Sequence, residues 1–176
     1  PIAGALTQEA IDVAVILNAL RALTSGHKFG RQKMPAAAAT TLRQDHKRME
    51  PTLDRLREIA DGLDAVEGAG AVTLISEADD IVSRQIVEHE RDDERAVYPQ
   101  VAKFLGDRHG LGAMSRAHRE IIHMARLLRR LADGLTVQDT DHYLIRDAQR
   151  VIEAIEALVR IHNAQEEDIY EQAIGA

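Results

Sequence analysis

Residues 42–63 read LRQDHKRMEPTLDRLREIADGL and residues 114–135 read MSRAHREIIHMARLLRRLADGL, so a related stretch recurs 72 residues further along the chain. In both stretches apolar residues return at steps of three and four, the spacing that places them along one face of an α-helix. A histidine, His46 or His118, takes one place in each apolar row. The pattern predicts two related helices whose histidines face the interior of a bundle.

A second repeat relates the stretches that follow these helices. Residues 89–99 read HERDDERAVYP and residues 162–170 read HNAQEEDIY. Each begins with a histidine, carries acids about one helical turn later and then reaches a tyrosine. The histidines are 73 residues apart and the tyrosines 72, so one residue has been inserted or deleted between them. The chain is therefore predicted to consist of two related helical hairpins.

Apolar periodicity predicts five helices, at about residues 7–23, 35–60, 72–105, 111–132 and 140–174. Pro51 and Pro99 fall inside helical patterns, and a kink or break is expected just before each. Residues 1–34 are expected to form an N-terminal helix and loop, packed beside the bundle or used for homodimer contacts. Residues 35–176 are expected to form the bundle, with its internal repeat at 36–105 and 111–174. The predicted fold is all-α, a four-helix bundle of two pseudo-symmetric hairpins plus the extra N-terminal helix.

The amino-acid composition argues against several classes of site and partner. The 176 residues suit one domain, and with no cysteine the chain has neither a disulfide nor a thiolate metal site. A net charge of −7 argues against nucleic acid and anionic membranes as partners. No apolar run approaches a membrane span, and Glu9 and Asp12 stand where a signal peptide would carry basic residues, so a cytoplasmic location is expected.

Acidic side chains on an apolar helix face need a positive charge nearby. His89 and His162 are each followed one turn later by carboxylates on the same side of the helix. Burying such carboxylates among leucine and isoleucine costs several kcal/mol unless a cation compensates. Imidazole and carboxylate are ligands that iron accepts, so a pair of metal ions between the hairpins is the hypothesis. The candidate metal ligands are His46, His89, Glu94, His118, His162 and Glu166.

Some candidates have alternatives. Glu94 precedes Tyr98 by four residues just as Glu166 precedes Tyr170, so Glu94 is preferred as the bridging partner of Glu166, with Asp93 as the substitute. The remaining candidates are weaker: His123 falls off the apolar stripe, Glu50 lacks a repeat counterpart, and His27, His109 and His142 read as surface residues. The competing interpretation is a structural helical protein whose histidines are hydrogen-bonded core residues.

Taken together, residues His46, 89–99, His118 and 162–170 resemble the hemerythrin-like, HHE cation-binding family over about residues 36–174. The resemblance implies a four-helix bundle around a non-haem site of two iron ions, bridged by an oxo or hydroxo group, with terminal histidines and two bridging carboxylates. A ferritin-like bundle would instead need Glu-x-x-His on two helices, which none of the four histidines has.

One departure from the family bears on function. Oxygen-carrying hemerythrins have a second histidine four residues before the third-helix histidine, and here Met114 takes that place. Reversible oxygen carriage is therefore not expected. Tyr98 and Tyr170 are candidate cofactor-binding residues, as phenolate ligands or as hydrogen-bond donors to a bridging oxygen. No catalytic residue is predicted beyond the metal site.

The resulting functional hypothesis is a peroxidase- or catalase-like oxidoreductase in which the iron pair reacts with a small oxidant, hydrogen peroxide or nitric oxide. The alternative is a sensor or storage module that binds O2 or iron without turnover.

Overall fold

The structure, a computed structural model, describes residues 33–105 and 109–175. Within these ranges the chain is helical and contains no strand. The helix predicted at residues 7–23 lies outside the described residues. The other four predicted helices all occur.

Helix α1 spans Ala36–Gly62 and follows Pro35. A long helical run then extends from residue 69 to residue 105 and is interrupted twice by π-helical segments. It comprises α2 (Ala69–Ile81), a π-helical segment (Val82–Ile86), α3 (Val87–Asp92), a second π-helical segment (Asp93–Val97) and α4 (Tyr98–Leu105). Helix α5 spans His109–Ala132 and α6 spans His142–Gly175, and short 3-10 turns lie at Leu63–Ala65 and Val137–Asp139.

These helices pack side by side as a helical bundle. Helix α6 lies against α1 and α5, and it also contacts α4. Helix α2 lies against α1 and α5, and α3 continues the contact with α5. Each long helical run thus has neighbours on two sides, which allows its apolar face to be buried.

Two apolar clusters form the interior. One contains Leu56, Ile75 and Ile152, and the other contains Met114, Ile169 and Tyr98. Between them every helical run carries polar residues: on α6, for example, Val159 belongs to the first cluster and Ile169 to the second, with His162 between them. The candidate ligands therefore occupy a polar layer that crosses the bundle between two dry regions.

The two prolines behave differently. Helix α1 continues through Pro51 without interruption, so no break forms there. Before Pro99 the backbone does change: the π-helical segment Asp93–Val97 ends two residues before this proline, and α-helical geometry resumes at Tyr98. Within the described residues, no helix combines the length and apolar character that crossing a bilayer requires.

An ionic group away from the polar layer ties α6 to α1. Glu156 on α6 is 3% exposed, and Nη2 of Arg57 donates to it at 3.0 Å. Arg160 donates to the same carboxylate. Burial alone would raise the pKa of Glu156, but the two guanidinium groups hold that pKa below its usual value.

We predict that Glu156→Gln lowers the free energy of unfolding at pH 7 by about 1–3 kcal/mol, because charge-assisted hydrogen bonds are lost. A lowered folded-state pKa stabilises the fold above the ordinary glutamate pKa of about 4.3, and this contribution disappears as the pH falls through the folded-state value. The difference between variant and wild type should therefore shrink on acidification. Denaturant unfolding in the presence of a chelator measures it, with exposed Glu153→Gln as the control. A constant difference down to pH 2 would contradict the prediction.

Candidate metal centre

The first of two groups of metal-ligating side chains contains His46, His89, Asp93 and Glu166. Nε2 of His46 lies 3.1 Å from Oε2 of Glu166. Nε2 of His89 lies 3.3 Å from Oδ2 of Asp93, one turn further along the same helical run. One ligand atom from each of the four residues falls within 4.8 Å of the others, close enough to surround one ion. We refer to these four residues as cluster A.

The second group, cluster B, contains Glu90, His118 and His162. Oε2 of Glu90 lies 2.9 Å from Nε2 of His118 and 3.4 Å from Nε2 of His162. The two imidazole rings meet edge to face, with their centroids 4.5 Å apart. All three residues are buried.

Glu166 lies between the two clusters. Its Oε2 approaches His46 in cluster A, whereas its Oε1 is 3.3 Å from Nε2 of His162 and 3.7 Å from Nε2 of His118 in cluster B. A carboxylate with one oxygen on each side has the geometry of a bridge between two cations. Glu166 is 1% exposed, so neither oxygen has bulk water as an alternative partner.

Several ligand atoms in these clusters lack a hydrogen-bond partner although another polar atom is near. The buried atoms without a partner include Nε2 of His89, both oxygens of Glu90, Oδ2 of Asp93, Nε2 of His162 and Oε2 of Glu166. Buried polar groups are normally hydrogen-bonded, so a concentration of unpaired ones in one layer needs an explanation. Cations bound in the two clusters would give these ligand atoms partners.

Charges in cluster B partly compensate one another without a metal. Burial alone would lower the pKa values of both histidines, but Glu166 and Glu90 raise the pKa of His118 to about 10 and that of His162 to about 9. Burial alone would raise the pKa of Glu166 and Glu90, but the same histidines hold both pKa values below the usual range. The histidines of cluster B can therefore supply positive charge at pH 7 in the absence of a metal.

Cluster A is less well compensated. Burial, together with the negative charges of Glu166 and Glu90, raises the pKa of Asp93 to about 7. Burial also lowers the pKa of His89. For His46 the effect of burial is outweighed by the carboxylate of Glu166, which raises its pKa. Asp93 and His89 are thus both held away from their charged forms, a condition that a bound cation would relieve for Asp93.

The donor set suits a transition metal. The two clusters offer imidazole nitrogen and carboxylate oxygen only, a combination that accepts iron, manganese or zinc. Both clusters lie inside the bundle and share one carboxylate. The residues present therefore fit a pair of cations, with His46, His89 and Asp93 on one side, Glu90, His118 and His162 on the other, and Glu166 between them.

The two tyrosines both belong to the second apolar cluster, and each stacks on a different histidine of the polar layer. The hydroxyl of Tyr98 lies 3.0 Å from Nε2 of His118 and also donates to Oε1 of Glu166. Its ring stacks on His118, with centroids 4.9 Å apart. Tyr170 stacks on His46 at 6.1 Å, and its buried hydroxyl has no hydrogen-bond partner. Whether either phenol binds a metal stays a prediction.

The structure does not place Glu94 in either cluster. Its side chain is 41% exposed, and its Oε1 lies 3.1 Å from Nδ1 of His118, on the outer side of that ring. Asp93, which sequence reasoning held as the substitute, lies in cluster A and is buried. The geometry therefore favours Asp93 over Glu94 as a ligand.

The π-helical segment Asp93–Val97 explains the difference. A π turn spans one residue more than an α turn, and this one takes up the extra residue between His89 and Tyr98 that the α-helical stretch 162–170 lacks. Residues up to the π segment therefore keep the 73-residue offset of the histidines, which pairs Asp93 with Glu166. The sequence argument for Glu94 counted back from the tyrosine and crossed the insertion.

Glu90 was missed because it belongs to a run of acids that resembles a solvated helix face. It is 0% exposed and lies 2.9 Å from His118 and 3.4 Å from His162, the two histidines of cluster B. Met114, at the place of the absent histidine, packs in the apolar cluster. No feature of the sequence alone distinguishes Glu90 from its neighbours.

The remaining candidates lie elsewhere. His123, His142 and Glu50 are exposed and belong to neither cluster. His27 lies outside the described residues, and so does the side chain of His109.

Cluster A has an opening toward the surface. A cavity of about 490 Å³ between α1 and the 69–105 run is lined by His46, His89 and Asp93 together with charged surface residues such as Arg48. The side chain of His89 is 18% exposed, whereas those of His118 and His162 are at most 1% exposed. A small molecule therefore has more room to reach cluster A than cluster B.

The fold and the two clusters define a helical bundle with an internal His/carboxylate cation site. The family model for the hemerythrin HHE cation binding domain matches residues 37–174, and the chain belongs to this family. Neither the curated proteins nor the solved structures yielded a match.

We predict that His89→Ala and His162→Ala each reduce the metal bound by the purified chain, because each removes one of few ligands from its cluster. His142→Ala, an exposed histidine on the same helix as His162, should retain the wild-type metal content. Metal analysis after loading with ferrous iron and desalting measures the outcome. Full metal content in both of the first two variants would contradict the assignment.

Proposed function

We propose that this chain binds two iron ions and uses them in redox reactions with a small oxidant, hydrogen peroxide or nitric oxide. In this proposal His46, His89 and Asp93 hold one ion, His118, His162 and Glu90 hold the other, and Glu166 bridges them. The bound iron pair supplies reversible transfer of electrons to the oxidant. The protein supplies ligands, excludes bulk water and limits access to small molecules.

The observation that carries the proposal is the position of Glu166. Its two oxygens approach histidines of different clusters, and the carboxylate is buried between them. Family membership supports a cation at this place. Iron is the cation proposed because the donors are imidazole nitrogen and carboxylate oxygen, and because a redox function requires a metal that changes oxidation state.

We also propose that the bundle consists of two helical hairpins related by pseudo-symmetry. Helix α1 with the 69–105 run, and α5 with α6, would form two pseudo-symmetric hairpins, each giving one histidine from its first helix and a histidine with a carboxylate from its second. Related contacts support this arrangement: Tyr98 stacks on His118 and Tyr170 stacks on His46. Glu90 breaks the symmetry, since the residue 73 positions later is Asn163.

The tyrosines have different proposed roles. Tyr98 donates to Glu166 and so orients the shared carboxylate. Burial is the main cause that raises the pKa values of Tyr98 and Tyr170, and the nearby negative charge of Glu166 is the second. Both causes favour the protonated phenol in the metal-free protein. We therefore propose hydrogen bonding rather than ligation for Tyr98, and a place in the wall beside His46 for Tyr170.

A small oxidant suits the access route. The 490 Å³ cavity reaches His46, His89 and Asp93 and is bordered by charged residues, and it has room for a molecule of a few atoms together with water. Cluster B is enclosed, and Tyr98 and Glu90 occupy the space around His118. We propose that the oxidant approaches from the cluster A side.

A second candidate function is an O2 or iron sensor or store without turnover. The enclosed cluster B favours it, because an ion held by Glu90, His118, His162 and Glu166 would have little room for a substrate. Both functions need the same iron pair and differ in what happens when an oxidant arrives.

We predict that the iron-loaded chain consumes hydrogen peroxide by disproportionation, or nitric oxide when a chemical reductant is added to return the iron to the ferrous state, over many turnovers and with a transient change in its visible spectrum. Rapid mixing with peroxide, nitric oxide and O2 in separate experiments, with substrate consumption followed in parallel, measures this. His89→Ala should lose turnover because cluster A is incomplete, and His142→Ala should retain it. A stable, reversible O2 spectrum with no consumption of peroxide or nitric oxide would favour the sensor or store and contradict the enzyme.

A further inference from the structure

The outer nitrogen of His118 contacts an acid that belongs to neither metal cluster. Nδ1 of His118 lies 3.1 Å from Oε1 of Glu94 with hydrogen-bond geometry, while Nε2 of the same ring faces Glu90 at 2.9 Å. The ring is buried and Glu94 is partly exposed, so the contact runs from the polar layer to the protein surface. One nitrogen of His118 therefore faces cluster B, and the other faces Glu94.

A related contact exists in the other half of the chain but is weaker. Glu167 follows Glu94 by 73 residues, and its Oε1 lies 3.4 Å from Nδ1 of His46. That nitrogen nevertheless has no hydrogen-bond partner, because its contact with Glu167 lacks the geometry of a hydrogen bond. The two acids are thus matched in type and position and differ in the hydrogen bond that only Glu94 makes.

We propose that Glu94 is a positioning residue for His118, an inference that rests on the proposed function. By accepting a hydrogen bond from Nδ1–H, Glu94 fixes the neutral imidazole in the tautomer that leaves Nε2 free to bind a metal. The same bond holds the ring plane in place and makes Nε2 a stronger donor. Glu94 acts only through His118 and does not itself contact the ion.

Helical geometry separates the two neighbouring acids Asp93 and Glu94. Asp93 and Glu94 are consecutive, yet the carboxylate of Asp93 lies in cluster A while that of Glu94 reaches the outer side of a cluster B histidine. In an α-helix consecutive side chains diverge by about 100° and face different surroundings. Here Asp93 belongs to cluster A inside the polar layer, whereas Glu94 contacts a cluster B histidine from outside the layer.

The surroundings of Glu94 make it a suitable residue to test. Its partly exposed side chain borders a cavity of about 260 Å³ that Tyr98 and Ser115 also line. Among the described residues, its ion pair is with His118, whereas the neighbouring Glu88 and Asp92 pair with arginines. Truncation of Glu94 therefore removes the contact to His118 without opening a void in the apolar core.

The experiment compares four variants of the full chain loaded with ferrous iron under anaerobic conditions: Glu94→Ala, Glu94→Gln, Glu167→Ala and Glu88→Ala. Iron affinity is measured by competition with a chromophoric ferrous chelator, and thermal unfolding of the metal-free proteins verifies that each variant folds. We expect Glu94→Ala to weaken the binding of one of the two ions by about 10- to 100-fold. Glu94→Gln should restore most of this loss, because its amide oxygen can accept the same hydrogen bond.

The matched variants separate positioning from a general effect of charge. Glu167→Ala and Glu88→Ala each remove one negative charge and should change the affinity by less than the Glu94→Ala variant does. Equal losses in Glu94→Ala and Glu167→Ala, or no rescue by Glu94→Gln, would overturn the positioning role while leaving the proposed iron site intact. A wild-type chain that binds no iron would overturn both proposals.

Discussion

The buried carboxylate of Glu166 and the four imidazoles around it determine how this bundle is organised. A charged carboxylate inside a protein costs several kcal/mol unless it is paired. Here the partners of the carboxylate come from all four helical runs: the imidazoles of His46 on α1, His118 on α5 and His162 on α6, and the hydroxyl of Tyr98 on the 69–105 run. The helices can satisfy this carboxylate only when they are packed together, so the polar layer couples the site to the tertiary structure.

The apolar clusters on either side of the layer keep that arrangement in place. Aromatic residues make up only 3% of the chain, and small aliphatic side chains therefore fill most of the interior. Together with the helices they leave Glu166 only 1% exposed. In the metal-free protein the protonated histidines of cluster B offset part of the negative charge. Binding of cations at cluster B would have to displace these protons, whereas cluster A retains a carboxyl, Asp93, with a pKa of about 7.

Much of the architecture could be predicted from the sequence because helical periodicity and the repeat carry it. The apolar rows through His46 and His118 placed both histidines in the interior, where the structure has them. The four-residue helical spacing similarly placed Glu166 one turn from His162. These inferences depend only on regular α-helical spacing, which α1, α5 and α6 preserve across the site.

The ligand assignments that differed from the structure all concern the 69–105 run. Its π-helical segment changes the register between His89 and Tyr98, and periodicity reasoning assumes an unbroken α-helix. For this reason Glu94 was preferred to Asp93, and Glu90 was not distinguished from a solvated acid. The pairing of helices also mattered, because Glu90 reaches histidines on α5 and α6 that are distant in sequence.

The central claim is that Glu166 bridges two cations, one in each cluster. Anomalous diffraction at the iron absorption edge, from crystals of the iron-loaded protein, tests it most directly. The account predicts two separate anomalous peaks, one beside His46 and His89 and one beside His118 and His162, with the carboxylate of Glu166 between them. An iron-loaded crystal with no peak in this layer, or with the Glu166 side chain turned away from both clusters, would contradict the account.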